Sequence, residues 1–578
     1  MQRSILKVSI LGFTAAVIVA LVAGIEPAEA QEKKAIVHDP EYYILDAQHG
    51  QKWAAEDKEL DAKLAALRKK YGAPPNMIHI MWDDTPVGDI GIAALQKVRG
   101  FETPHMNQMA AEGINFMRMY TEPSCTPTRA ACMTGRHPVR NGMYNVGFPF
   151  EYGGLPPTEA TMGEVLSAAG YATAFYGKAH LGDVEASYLN KKGFDEALWM
   201  PYNQVPSLFT PQGQMAALTP AVMYPEMYPK DRYDIDPSWR PNGFVFALEG
   251  KKGGPVSEFG VAPNHADYMQ IESECQKRTL AFMRKNAKAK KPFYCAYWPV
   301  GTSFLGFPDR KSPNGAFVPE ALVRIDAFMG ELKQEIEALG IAENTLVVMM
   351  ADNGPMTHET SAGMGFNETL YRGGKGDFTE GGIRVPAIAW WPGTIRAGQT
   401  VGDIIHATDL YTTFARVAGA TSNIPTDRII DGIDQTALLV KGDSFSRRDY
   451  VYIYTGPILA ATVKGRYKRV WVGEKPGLSG AAFFDLYNDA REMKGIMLPM
   501  FPAKGMFNMM KARHEVWMDQ YPNTPECRGW PLTGLANARP ATLAAGKPRV
   551  DVSKLPFDPM ACIRKLKGWE GTEFDREG

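Results

Sequence analysis

"NMIHIMWDD", Asn76 to Asp84, carries an unbroken strand-like apolar run straight into two adjacent carboxylates. "NTLVVMMADNG", Asn344 to Gly354, repeats the pattern and ends on Asp352-Asn353. A shorter run, "YATAFY", Tyr171 to Tyr176, leads into Lys178 and His180. Near-continuous apolar runs of this length suit strands buried on both faces, which is the habit of parallel sheets. Helical patterns lie between them. "TEATMGEVLSAAG" predicts a helix with Thr158 as N-cap and Gly170 as its stop, and "PEALVRIDAFMGELKQEIEALG" predicts one from Pro319 to Gly340. A charged segment with helical spacing, Ala54 to Tyr71, precedes the first strand. The expected fold is α/β: a large mixed, mostly parallel sheet flanked by helices on both faces.

Outward from this core the pattern changes. After about Gly442, "YVYIYTGPILAATVKGRYKRVWVG" reads as alternating strands joined by turns. The chain of 578 residues is therefore expected to divide into a signal peptide (1–30), an N-terminal extension (31–75), a catalytic α/β domain (76–442) and a smaller antiparallel-sheet domain (443–578) ending in a Met- and Pro-rich tail. The tail's methionines, Met493 to Met518, are expected to be adaptable core packing. No internal repeat is evident. A net charge of -1 gives no electrostatic reason to expect nucleic acid or an anionic membrane as partner.

Arg3 and Lys7 precede an apolar run from Val8 to Ala23, with Ala28-Glu29-Ala30 before Gln31. This reads as a cleaved signal peptide, hence a periplasmic or secreted protein without membrane attachment after cleavage; an uncleaved anchor is the alternative. Export implies an oxidising compartment. Of the six cysteines none forms a C-x-x-C, and Cys527 with Cys562 is the expected disulfide.

In open α/β sheets ligands bind beyond the carboxyl ends of the strands, so Asp83, Asp84, Asp352 and Asn353 should meet in one crevice. Three carboxylates and an amide repel one another unless a hard cation neutralises them. Ca²⁺ or Mg²⁺ fits this all-oxygen set, and zinc does not. The alternative is that each acidic pair only caps a turn. "GKAHLG" brings Lys178 and His180 to the same edge, and "YRGGKGDFTEGGIRVP" sets Lys375 among glycines. The latter is not a P-loop, since Thr369 stands where its first glycine is required and Gly376 follows the lysine. Together these cations can clamp a compact anion.

"EPSCTPTRAACMTGR", Glu122 to Arg136, starts a helix at a cysteine. On a helix Cys125 and Cys132 lie roughly 10 Å apart along the axis, beyond the ~7 Å that a disulfide spans. Cys125 is thus buried, paired at long range, or a nucleophile near Arg129.

These pieces resemble the sulfatase family, of the arylsulfatase-like, formylglycine-dependent type in the alkaline phosphatase superfamily. "CTPTRAACMTGRHPVRNGMY" is similar to its C-x-P-x-R signature and following T-G-R helix. "NMIHIMWDD", "YGKAHLG", "MMADNG", "GGKGDFTEGGIRVP", "DGIDQTALL" and "FDLYNDAREM" resemble its other blocks in the family's order, from about Asn76 to Glu492. The resemblance implies that a formylglycine-generating or sulfatase-maturing enzyme oxidises Cys125 to Cα-formylglycine. Its hydrate would attack a small-molecule sulfate ester, give a covalent sulfo-enzyme and then expel sulfate. Asp83, Asp84, Asp352 and Asn353, with the modified Cys125, would hold the cation, Ca²⁺ in preference to Mg²⁺. Arg129 would stabilise the hydrate, His180 would bond it or take a proton, and Lys178 and Lys375 would neutralise sulfate. Asn203 stands where related enzymes have a polar substrate contact.

One departure bears on the leaving group. The family has a histidine in an "H-x-P"-like stretch, but "KPFYCAYWPVGTSFLGFP", Lys291 to Pro308, contains none, and Thr302-Ser303 stands roughly there. Lys375 alone, or His265 or His358 from a loop, would have to serve. A phenol needs less acid help than a sugar hydroxyl, which favours aryl sulfates. The competing expectations are a phosphonate monoester or phosphodiester hydrolase of the same superfamily, and an exported binding homologue that has lost catalysis.

Overall fold

The computed structural model describes residues 35–147, 154–182, 185–203, 247–259, 265–301, 309–357, 367, 370–442, 444–472, 483–496 and 500–524. The unit from Ile36 onward is built on two sheets. The larger has eleven strands. Those that position the site are β1 (Asn76–Trp82), β2 (Ile114–Tyr120), β3 (Ala172–Lys178), β4 (Glu196–Met200), β5 (Ala247–Lys251), β6 (Val256–Phe259), β7 (Phe293–Trp298), β8 (Thr345–Ala351), β9 (Arg384–Trp390), β10 (Gln399–Val401) and β11 (Ile405–His406). Their order is β10-β2-β9-β8-β1-β7-β3-β4-β5-β6, with β11 also on β2.

The centre, β8-β1-β7-β3-β4, is parallel throughout, while β9, β5 and β6 add antiparallel pairings. β1, β3, β7 and β8 are buried at every position. This is why their sequences read as unbroken apolar runs and do not alternate. Two groups of helices cover the sheet. Pro104–Ala111, His265–Ala289 and Phe317–Ala338 pack together, as do Cys125–Thr134, Met162–Ala168 and Asp409–Ala418.

The smaller sheet is antiparallel: β12 (Tyr450–Thr455), β13 (Ile458–Lys464), β14 (Tyr467–Val470) and β15 (Phe483–Asp485), in that order. Gly456 and Gly465, both at positive φ, make its first two turns. Of the tail methionines, Met510 is fully buried, whereas Met493 and Met509 stay exposed.

Two helix boundaries differ from expectation. The first helix begins at Pro40, well before Ala54, because Asp39 caps it by accepting from the Glu41 N–H and Pro40 fills the first turn. Leu45, Trp53, Leu60 and Leu64 then continue one buried stripe. The Met162–Ala168 helix is capped by Thr161 and not by Thr158. Thr161 forms a reciprocal capping box with Glu164, and Thr158 is exposed. Cys527 and Cys562 lie outside the described residues. Cys125, Cys132, Cys275 and Cys295 are buried and unbridged.

Candidate active site

The register of β1 on β8 pairs Trp82 with Ala351, so the two strands end level and their acidic residues emerge side by side. The Asp352 N–H donates to the Trp82 carbonyl at 2.9 Å, and the Thr85 N–H to the Asn353 carbonyl at 3.2 Å. β3 lies beyond β7 in the same parallel set and delivers Lys178 to this edge. The Lys375 loop is tied in through the main chain. Its N–H donates to the Pro355 carbonyl at 2.8 Å, and the Gly376 N–H to the Pro123 carbonyl at 2.7 Å. Gly354 permits this approach, because a Cβ there would collide with the Gly381 carbonyl oxygen.

β2 leads into the turn that starts the Cys125–Thr134 helix, and Thr128 clamps that turn. Its hydroxyl accepts from the Glu122 N–H at 3.1 Å and donates to the Glu122 carbonyl at 3.0 Å. Cys125 is the first residue of the helix and Gly135 its left-handed C-cap.

One turn on, Arg129 is fully buried and binds three partners. Nη2 donates to Asp83 Oδ1 at 2.6 Å, Nε and Nη2 donate to Asp352 Oδ2 at 3.0 and 2.9 Å, and Nη1 donates to the Lys178 carbonyl at 2.6 Å. Its guanidinium sits 5.1 Å from the Trp298 ring centroid. Lys178 Nζ donates to Asp83 Oδ1 at 2.8 Å, and Lys375 Nζ to Asp84 Oδ1 at 2.7 Å. Cys125 lies within the electrostatic reach of Arg129, Asp352 and Lys375. Eight of the predicted residues thus join Cys125 in one buried cluster. Asn203 is buried just past the end of β4 on the same edge.

The cluster sets three carboxylates against Arg129, Lys178 and Lys375, so their formal charges match in number, but the ion pairs are shared unevenly: Asp83 meets two of the cations. Burial alone would raise the Asp83 carboxyl, but the Lys178 and Arg129 charges hold it well below the usual carboxylate range. Burial, then the Asp83 charge, pushes Asp352 well above its ordinary value. The two carboxyls are thus pushed apart, Asp83 kept ionised and Asp352 raised. Asn353 Nδ2 donates to Asp84 Oδ1 at 2.8 Å, while Asn353 Oδ1 is buried with no hydrogen bond. An all-oxygen set with an orphaned amide oxygen fits a hard divalent cation.

His180 is equally specific. Its Nε2 lies 2.7 Å from the Gly147 carbonyl, which fixes that nitrogen as the N–H and leaves Nδ1 as a lone pair, buried without a hydrogen bond. Burial, then the Lys178 charge, lowers its pKa well below 6.5, so the ring is neutral. His180 and Asp84 are both non-glycine residues at positive φ, 54° and 50°. Such backbone persists where the surrounding structure over-determines it.

Sequence reasoning missed Trp298 beneath Arg129, Gly147 behind His180 and the Thr128 clamp. No local pattern marks any of them. Thr302, Ser303 and His358 lie outside the described residues, as does the side chain of His265. The start of the β7 loop is anchored by Glu272, whose carboxylate accepts from the Val300 and Gly301 N–H groups at 2.6 and 3.0 Å.

A mixed α/β sheet that gathers oxygen donors, three cations and a helix-terminal cysteine at one edge suits a hydrolase of anionic esters. The Sulfatase family model matches residues 75–420, and the chain belongs to the sulfatase family, the sulfuric ester hydrolases. It is 31% identical to the steryl-sulfatase of Rattus norvegicus over 443 residues, 68% of this chain and 74% of that one. Identity to the arylsulfatase A of Homo sapiens is 36% over 403 residues, covering 68% of this chain and 72% of the relative. Among solved structures it is similar to the PsFucS1 sulfatase from Pseudoalteromonas sp., with TM-score 0.71 and 30% identity over 81% of this chain and 95% of that one. Among the described residues no helix is long and apolar enough to cross a membrane.

Proposed function

We propose that the protein is exported and hydrolyses aryl sulfate esters. Cys125 is matured to Cα-formylglycine by a formylglycine-generating or sulfatase-maturing enzyme, and Asp83, Asp84, Asp352 and Asn353 hold Ca²⁺ in preference to Mg²⁺. The observation that carries this reading is the ring of charges around the Cys125 helix terminus, in which His180 Nδ1 and Asn353 Oδ1 are both buried without hydrogen bonds. The hydrated aldehyde supplies two hydroxyls on one carbon, one to attack sulfur and one whose later deprotonation expels sulfate. The cation supplies charge that acidifies a hydroxyl and neutralises a sulfate oxygen.

The chain's own residues do the rest. Arg129 is locked by two carboxylates and a carbonyl, and fixes the nucleophile's surroundings at no reorganisation cost. His180 Nδ1 takes the hydroxyl proton, because its tautomer is set by the Gly147 carbonyl and burial keeps the ring neutral. Lys178 and Lys375 turn from Asp83 and Asp84 to the sulfate oxygens. Asn203 contacts the substrate from the end of β4.

The leaving group favours the aryl reading. Burial lowers the Lys375 pKa, but the carboxylates around it, Asp84 foremost, together outweigh burial and raise it. An ammonium held that firmly stabilises a phenolate by its charge but gives up a proton reluctantly, so good leaving groups are favoured over sugar hydroxyls. The name of the arylsulfatase A relative supports the same class. The test is kcat/KM on a chromogenic aryl sulfate beside a sulfated monosaccharide and phenyl phosphonate. We expect the aryl sulfate to lead; a lead by either competitor overturns the assignment. The same sample should have lost about 18 Da at Cys125, the thiol-to-aldehyde change.

A further inference from the structure

Among the described residues, one group of His, Cys, Asp and Glu side chains brings three ligand atoms within 4.8 Å of one another, and it is not the carboxylate set beyond β1 and β8. It consists of Glu122, His137 and His406, all buried. Separate parts of the chain deliver them. Glu122 precedes the Cys125 turn, His137 follows the C-cap of the Cys125–Thr134 helix, and His406 ends β11. Glu122 Oε1 lies 2.7 Å from His137 Nδ1 and 3.8 Å from His406 Nε2. The latter separation is too long for a hydrogen bond, and His406 Nε2 is buried with no partner. A buried polar atom left unsatisfied in this way is destabilising and calls for a partner.

The spacing itself suggests what satisfies it. Tetrahedral zinc with bonds of about 2.0–2.2 Å holds its nitrogen and oxygen ligands roughly 3.4 Å apart. The observed 2.7 and 3.8 Å bracket that value. We propose that Glu122, His137 and His406 form a second metal site, a His₂Glu set that takes zinc or a similar borderline divalent ion with water in the fourth position. Its imidazole nitrogens separate it from the all-oxygen set, which suits Ca²⁺ or Mg²⁺.

The surroundings orient the ligands. The His137 backbone N–H donates to Asp431 at 2.8 Å. His406 Nδ1 is 2.9 Å from Thr408 Oγ1, an acceptor for the Nδ1–H tautomer that frees the Nε2 lone pair for a metal. The Thr408 backbone N–H, 3.2 Å from the same nitrogen, favours the opposite tautomer, with the proton on Nε2. A metal on Nε2 selects the first state, in which the ring proton sits on Nδ1 and the Nε2 lone pair is free. A metal here joins the turn before Cys125, the far end of the nucleophile helix and the β11 edge.

The test uses the full-length protein saturated with Ca²⁺ and titrated with Co²⁺. Four-coordinate Co²⁺ absorbs strongly in the visible, and we expect about one equivalent per chain to do so, displaced by Zn²⁺ and not by added Ca²⁺ or Mg²⁺. In His406→Cys the same titration should gain a near-ultraviolet thiolate-to-cobalt band, which ties the ligand to this position. If that variant fails to fold, the wild-type titration decides alone. No visible absorption in the wild type, displacement by Ca²⁺, or a folded His406→Cys with an unchanged spectrum overturns the proposal.

Discussion

Replacing Arg129 with Leu tests the electrostatics of the cluster most directly. Arg129 is wholly buried and donates to Asp83, Asp352 and the Lys178 carbonyl. Leu keeps part of the apolar stem and removes every one of these bonds. Asp83 retains Lys178 at 2.8 Å, but Asp352 loses the one cation it is ion-paired with among the described residues. Breaking a buried pair by deleting one side costs about 3–5 kcal/mol, and that is the loss expected in urea unfolding of the EDTA-treated variant. Added Ca²⁺ should then stabilise the variant more than the wild type. The cation replaces the missing positive charge, and it no longer meets a guanidinium whose repulsion across a few ångströms is worth several kcal/mol even at an effective dielectric near 20. The assay is urea unfolding of both proteins in EDTA and in excess Ca²⁺. A variant within about 1 kcal/mol of the wild type in EDTA, or equal stabilisation of both by Ca²⁺, refutes the reasoning.

Cys125→Ala should reduce aryl sulfate turnover to background while leaving the unfolding midpoint in EDTA close to wild type; residual turnover after removal of trace wild type excludes the formylglycine route. His180→Asn should lower kcat by about 10²–10⁴-fold. Because burial keeps His180 neutral to well below pH 6.5, the wild-type kcat profile should show no acidic limb from this group at or above that pH, and such a limb vanishing in His180→Asn contradicts the assignment. His38 gives a stability test: burial lowers its pKa from 6.5 to about 4. Between those values the unfolded chain binds a proton that the fold excludes, so the contribution is present above pH 6.5 and lost as pH falls toward 4. Full loss is on the order of 3 kcal/mol. His38→Gln, which can still donate to the Ile430 carbonyl, should show a correspondingly flatter profile in urea unfolding from pH 7 to pH 4; parallel profiles count against it.

The sheet was legible because its strands carry their burial in local composition: β1 and β8 are apolar at nearly every position and end in acidic residues. The antiparallel hairpins after Gly442 were legible from alternation and turn glycines. Helix starts were less so: Thr158 and Thr161 are both capping residue types, and it is the local Thr161-x-x-Glu164 capping box that decides for Thr161.

By itself the sequence determined the kinds of atom available at the site: an oxygen-only set at two strand ends, lysines among glycines, and a cysteine at a helix start. Tertiary structure decided how those atoms share charge. It split Asp83 from Asp352, aimed the Nε2–H of His180 at Gly147 so that Nδ1 is left as a base, and gathered Glu122, His137 and His406 from three distant places. The reason is physical. A residue's chemical type is local, but its proton, tautomer and ligand partners follow from which neighbours burial forces upon it.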